Sequence, residues 1–526
     1  MIKQFIIAGL FFSTSLLAQK KTPDNWQLLD PFSDKVYGAG VENAYANLKD
    51  KKAKIVIVAV IDSGTDIGHE DLKDIIWTNP GEIPDNGIDD DKNGYIDDVH
   101  GWSFLGGKNG DINYEASELA RMYQRMNKKF AKADTAKLVG PEVKEFAEYK
   151  KIKTSFLKDQ KEKEQQLYGI QMFSDFLERA KKQNNGLLSS EGLKKYVPEN
   201  KMDEKIKKRM KLLFLFGVKP EELDEQITEG RKSIENMLKY NKMNADSIRQ
   251  YTVGDNVNNV NEHYYGCNRV QGPDALHGTH VSGIIAAMRN NTIGIKGIGD
   301  NVRIMPVRAV PNGDERDKDI ANAIRYAVDN GATIINMSFG KYYSPDKKLV
   351  DDAVLYAKSK DVLLIHAAGN DSKNSDIESS FPSRELLSGV VASNWIEVGA
   401  SSYKKGKNLV GSFSNYGKLK VDLFAPGVDI YSTIPDNKYI KESGTSMASP
   451  STAGVAALIR SYFPELKAEE VKAELMKTVV PYRRRVIKPS MGGGKSKVKV
   501  NELCISGGFI NANNAVTDLL GLNKKK

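Results

Sequence analysis

Only 2 cysteines, Cys267 and Cys504, occur among the 526 residues. A scaffold of several disulfides is therefore excluded, and the choice between one bridge and two free thiols stays open. No charge of one sign dominates: 77 basic against 68 acidic residues give a net charge of +9 on a mixed surface. Such a balance is no polycation, and nucleic acid is not an expected partner. Long apolar runs are absent beyond the first 18 residues, so no membrane span is expected in the mature chain. The run at 5–18 is itself too short to span. Lys3 before it and QKK after it give it the form of a secretory signal peptide, cleaved after Ala18. No cysteine follows that site, so a lipid anchor is not expected. The chain reads as exported, to the periplasm or the medium.

With 40% hydrophobic and 28% charged residues, the chain can bury a core. Its patterning places that core. KIVIVAVID (54–62), VRIMPVRAV (302–310), ATIINMS (332–338) and VLLIHAA (362–368) are continuous apolar runs of the kind found in buried parallel strands. Helical patterns over 317–331 and 346–360 alternate with them, the first closed by Gly331. The expected fold is therefore α/β, a doubly wound and mainly parallel sheet with right-handed crossovers. Ligands and catalysis gather at the carboxyl ends of such strands. Residues 111–255 break the alternation, being rich in Lys, Glu and Gln. Phe146, Tyr149, Ile152 and Phe156, then Leu167, Ile170, Phe173 and Leu177, recur at helical spacing from near Pro141. Further helices are expected over 203–216, ending at Gly217, and over 220–240. The block reads as an inserted helical subdomain with its own small core.

Four short stretches fall where the sheet would build a site. Asp62 ends the first strand, where it can start a turn or face a partner in a crevice. LHGTHVSGIIAAM (276–288) sets His277 and His280 in the opening turn of an apolar helix. The acidic neighbour of a zinc-binding H-E-x-x-H is lacking, so a metal pair is weakly signalled and a core histidine is the plainer reading. Asn370 follows the strand VLLIH in AAGND, as a turn residue or as a donor. Ser446 opens a small-residue helix in GTSMASPSTAGVAAL, as an N-cap or as an exposed nucleophile beside backbone donors.

Taken together and in this order, VIDSGTD, HGTHVSG, AAGN and GTSMASP resemble the signatures of subtilisin-like serine proteases. The handling of the acid, base and nucleophile in that order is a known property of that family. The resemblance covers roughly 25–110 and 256–522, implying a peptidase domain over 19–110 and 256–522, a helical insertion over 111–255 and a basic tail at 523–526. It implies an exported serine endopeptidase acting on extended polypeptides, with no cofactor for catalysis. Ser446 would be the nucleophile, His277 the base, Asp62 its orienting carboxylate and Asn370 an oxyanion donor. Ser338, Phe339 and Gly340 would pair with substrate, and with Ala368 and Gly369 wall the specificity pocket. The segment between residue 19 and Asp62 reads as the peptidase domain's own N-terminal arm, DNWQLLDPF onward, so the folding prodomain that the family usually carries is not evident there. The insertion, placed between the Asp and His motifs, is expected to restrict substrates or dock a partner.

One further motif lies outside this set. DNGIDDDKNGYIDDVHGW (85–102) contains D-x-D-x-N-G, which points to a structural Ca²⁺ held by Asp89, Asp91, Asn93 and Asp97. The bidentate glutamate of a complete EF-hand loop is missing; His100 stands in its place, and Asp98 could contribute instead.

Overall fold

The computed structural model describes residues 22–186, 188–215, 220–491 and 493–522. The signal-peptide reading of 1–18, the helix end at Gly217 and the basic tail lie outside them. Chain contacts divide the molecule into two compact units, one over Tyr114–Ala245 and the other over Thr22–Asn113 with 246–522.

The second unit is built on a nine-stranded sheet. In chain order its strands are β1 (Val56–Asp62), β2 (Trp102–Ser103), β3 (Val302–Arg308), β4 (Ile334–Met337), β5 (Leu363–Ala367), β6 (Trp395–Ser401), β7 (Leu423–Pro426), β8 (Val480–Pro481) and β9 (Gly508–Phe509). Their spatial order is β8-β9-β7-β6-β5-β4-β1-β3-β2, and every pairing except β8 with β9 is parallel. The α/β reading of the sequence holds: the apolar runs are the central strands, buried except at Ile57 and Arg303, because both faces are covered. Ala59, Ile61, Met305, Val307, Ile335 and Met337 share one core with the helices Asp317–Asp329 and Lys347–Ser359. Side chains alternate along a strand, so Val58 and Val60 face the other way. On that side lie the helices Leu276–Ala286 and Thr445–Tyr462, which carry His277 and Ser446.

The other unit is helical. Its main helix runs over Pro141–Lys182, with Pro141 in the first turn where a missing N–H costs nothing. Ile170, Phe176 and Leu177 pack with Leu193, Tyr196, Ile206, Met210, Leu223, Ile227, Ile234 and Leu238 in a separate core. Asp203 is buried there and ion-paired with Arg179 at 2.8 Å, and it accepts the Tyr196 hydroxyl at 2.6 Å. The unit ends ten residues before the composition shift at 255. The physical reason is Arg249. Fully buried, it donates to Asp319 at 2.7 Å and to Asp255 at 2.8 Å, which ties its own helix, Ala245–Thr252, to the sheet unit.

Among the described residues, no helix is long and apolar enough to cross a membrane. Cys267 and Cys504 are free thiols.

Candidate active site

β1 delivers Asp62 to the carboxyl edge of the sheet, where it is 2% exposed. Burying that carboxylate requires compensation. Its Oδ1 accepts the Ser63 amide at 2.7 Å and faces His277 Nδ1 at 2.7 Å. A carboxylate oxygen accepts, so Nδ1 carries the proton, and Nε2 is the nitrogen left to act as a base. Gly278 makes this contact feasible. A Cβ there would fall 2.1 Å from the Gly64 carbonyl oxygen and 3.2 Å from Asp62 Cβ. The His277 helix can approach β1 so closely only with glycine at that point.

His280 plays a different part. It is wholly buried, Nε2 lies 3.2 Å from the Ile440 carbonyl, and burial pushes its pKa down to about 3. The ring is neutral and donates to that carbonyl, which fits the reading of a core histidine.

Ser446 is the second residue of its helix and is 6% exposed. Its hydroxyl donates to the Ser338 carbonyl at 3.2 Å. Among the described hydrogen bonds none joins it directly to His277, and such bonds commonly close only around substrate. Pro450, one turn on, has no N–H to give the Ser446 carbonyl. The Ser338 hydroxyl fills that gap at 2.9 Å, itself receiving the Asn336 amide at 3.0 Å. Asn336 lies in β4, so the proline break anchors the Ser446 turn to the sheet.

Asn370 follows β5. Its Oδ1 accepts both the Thr445 amide, at 2.8 Å, and the Thr445 hydroxyl, at 2.9 Å, which commits the carbonyl end of the side chain to the helix start. A Cβ on Gly444 would lie 3.5 Å from the Ser446 amide nitrogen and 3.6 Å from Asn370 Nδ2. Two N–H donors thus border one small space left open by a glycine, beside Ser446. That geometry suits a developing oxyanion.

The segment 338–340 continues β4 beyond its last ladder partners, Met337 with Ile61 and with His366. Ser338 and Phe339 are buried; Gly340 is half-buried. Ala368 and Gly369 leave the neighbouring β5, the Ala368 carbonyl accepting the Asn415 amide at 2.9 Å and the Gly369 amide donating to the Thr445 hydroxyl at 3.1 Å. All the residues read as catalytic or substrate-binding therefore sit at the carboxyl ends of β1, β4 and β5, or in the two helices packed against them.

The acidic loop is arranged differently from its motif. Asp89 spends both oxygens on the amides of Asn93 and Gly94, and Asp97 spends both on those of Asn86 and Gly87. The carboxylates that converge are Glu82, Asp91 and Asp98, with oxygens within 4.8 Å of one another. Of the four residues taken from the motif, only Asp91 belongs to this cluster, while Asn93 supports it by donating Nδ2 to Asp91 and Asp98, each at 3.1 Å. Glu82 Oε2 is buried without a hydrogen-bond partner among the described residues, and burial pushes the Asp98 pKa up to about 6. Three convergent oxygen donors, one of them orphaned, fit a hard divalent cation. Glu82 stands outside the motif, before the loop, and nothing in its spacing marked it as a ligand.

Comparison with known proteins finds relatives among the serine proteases. A thermophilic serine proteinase of Bacillus sp. (strain AK1) is 46% identical over 186 residues, 35% of this chain and 42% of that one. Thermitase of Thermoactinomyces vulgaris is 39% identical over 186 residues, 35% of this chain and 61% of its own. Subtilisin DY of Bacillus licheniformis is 37% identical over 204 residues, 38% of this chain and 69% of its own. The chain thus spans less than half the length of the first of these relatives. The Subtilase family (Peptidase_S8) matches residues 53–502, most of the chain, and the protein belongs to that family.

Proposed function

We infer that the protein is an exported serine endopeptidase that hydrolyses polypeptides through an acyl-enzyme. The observation that carries the reading is the 2.7 Å contact of His277 Nδ1 with Asp62 Oδ1, which leaves Nε2 as the basic atom. In the proposed cycle Ser446 Oγ attacks the scissile carbonyl while His277 Nε2 takes its proton. The imidazolium formed is stabilised by Asp62. The oxyanion is held by the Ser446 amide and Asn370 Nδ2, and His277 then protonates the departing amine. Water repeats the sequence on the ester and releases Ser446. The substrate backbone pairs along 338–340 as an added strand, with its side chain between that segment and Ala368–Gly369.

No cofactor enters the chemistry. Glu82, Asp91 and Asp98 would hold a structural Ca²⁺, which would brace the loop between the Asp and His motifs. The peptidase domain takes in 19–110 and 256–522, residues 1–18 direct export, and the helical insertion restricts substrates or docks a partner. The names of the relatives, serine proteinase and subtilisin among them, support the activity; a cell wall-associated protease of Bacillus subtilis, 35% identical over 221 residues, supports the location.

The test is digestion of an unfolded protein, with new amino termini counted by mass spectrometry. Wild type is expected to generate them and Ser446→Ala to generate none. Equal cleavage by both would refute the reading, and so would cleavage by neither.

A further inference from the structure

Behind the segment 338–340, on the side away from Ser446, lies a buried cluster of charged groups that the proposed cycle does not use. Its centre is His366 in β5, 1% exposed. Nε2 lies 2.9 Å from the Phe339 carbonyl oxygen, and Nδ1 lies 3.0 and 3.1 Å from the two oxygens of Glu397. A carbonyl oxygen can only accept, and a carboxylate also accepts. Both ring nitrogens therefore need protons, which makes the ring an imidazolium paired with Glu397. Glu397 is held in turn by the Trp395 indole N–H at 2.8 Å. A Cβ on Gly340 would come within 3.8 Å of Nε2, so the ring sits directly behind the next residue as well.

The surrounding charges are disposed around this pair. Glu315 is fully buried nearby, and its backbone carbonyl accepts Lys341 Nζ at 2.7 Å; Lys341 is also ion-paired with Asp317 at 2.8 Å. On the Glu397 side, Asp422 accepts the Glu397 amide at 2.7 Å and is paired with Arg384 and Lys472. Burial alone would lower the pKa of His366. The charge and hydrogen bond of Glu397, the Phe339 carbonyl and the charge of Glu315 outweigh it, and the net direction is upward.

We propose that the protonated His366–Glu397 pair is a positioning element for peptide binding, fixing the back of the 338–340 segment whose front pairs with substrate. Successive carbonyls of an extended segment point to opposite sides, so a tie on Phe339 sets the direction of the Ser338 and Gly340 carbonyls. The inference rests on the reading of 338–340 as the peptide-binding strand. Loss of the His366 proton leaves the Glu397 carboxylate without its cation and frees the segment. Peptide affinity should therefore fall as pH rises through the raised pKa of His366, with the acyl-transfer step little changed.

The experiment measures KM and kcat for an extended peptide from pH 6 to 10, together with ¹⁵N shifts of the histidine rings; 6 histidines in the chain keep those assignable. Wild type should show a doubly protonated His366 near neutrality and a KM that climbs at alkaline pH. His366→Ala should raise KM on the order of tenfold at every pH, with kcat within about twofold. Glu397→Gln should keep a neutral ring that still donates to Phe339, so KM stays near wild type at neutral pH and its alkaline rise disappears. A singly protonated ring in wild type at pH 7 would overturn the proposal. So would an alkaline KM limb unchanged in both variants, or a fall in kcat with no change in KM. If His366→Ala does not fold, Glu397→Gln and the ring titration decide. If wild type turns over no peptide, the protease reading has failed; peptide Kd on Ser446→Ala over the same pH range then still decides this proposal.

Discussion

Among the described residues, the sheet unit holds two histidine–carboxylate pairs, and they differ in what each ring leaves unspent. His277 gives one nitrogen to Asp62, its side chain is 20% exposed, and the other nitrogen is left for chemistry. His366 gives both nitrogens away and is buried. On the proposed readings, the same two functional groups make a base in the first region and a fixed cation in the second. What separates them is the second partner: open crevice in one case, a main-chain carbonyl in the other. Function follows from the unsatisfied atom rather than from the pair.

That comparison can be broken from either side. The largest effects belong to the open pair: Asp62→Asn leaves the shape intact but presents the wrong tautomer, and kcat should fall about 10⁴-fold. Ser446→Ala should cost on the order of 10⁶-fold in peptide hydrolysis. If Asp62→Asn retained most of its activity, the open pair would not be the catalytic one. Next comes the oxyanion space. Asn370→Ala removes a single donor and should lower kcat by about 10²- to 10³-fold while KM moves little, as steady-state kinetics would reveal. Gly278→Ala probes how the open pair is assembled, since the added carbon meets the Gly64 carbonyl at 2.1 Å. A shift of the His277 helix by about 1 Å should cost on the order of 10²-fold in kcat/KM.

How much of this could be read from the sequence depends on how local the signal was. Asp62 announces itself as a charge at the end of an apolar run, and His277, Asn370 and Ser446 each sit in a short small-residue motif. Strand β5 and the turn after it were equally plain. His366 was not, because within VLLIHAA it reads as one more interior residue, and Glu397 lies 31 positions away on another strand. Glu82 was missed for a related reason. Turn amides consume Asp89 and Asp97, which the spacing favoured, so the converging set is completed by a residue from outside the loop. Long-range pairing chose these partners; spacing carried no trace of it. The end of the helical unit was displaced likewise, by one buried arginine whose acidic partners lie in the sheet unit.

The smallest predicted effect concerns that acidic cluster. Asp98 has a folded pKa of about 6, above the roughly 3.9 of an unfolded aspartate, so the metal-free fold binds more protons and loses stability as pH rises between those values. Ca²⁺ would replace that proton. Thermal unfolding should thus show a Ca²⁺-dependent rise in Tm of a few degrees at pH 7.5, about 2.7 kcal/mol at a hundredfold excess over Kd, and a much smaller rise at pH 5. Glu82→Gln should abolish it and Asp89→Asn should weaken it less. The reverse order would return the site to the loop motif.

The central claim is that Asp62 and His277 activate Ser446. Labelling by a fluorophosphonate, which tests the nucleophile without requiring peptide binding, examines it most directly when the modified residue is mapped by mass spectrometry. The account predicts adduct on Ser446 alone, none in Ser446→Ala and a rate reduced by orders of magnitude in His277→Ala. Folded wild-type protein that takes up no label, or labels equally fast without His277, would contradict it.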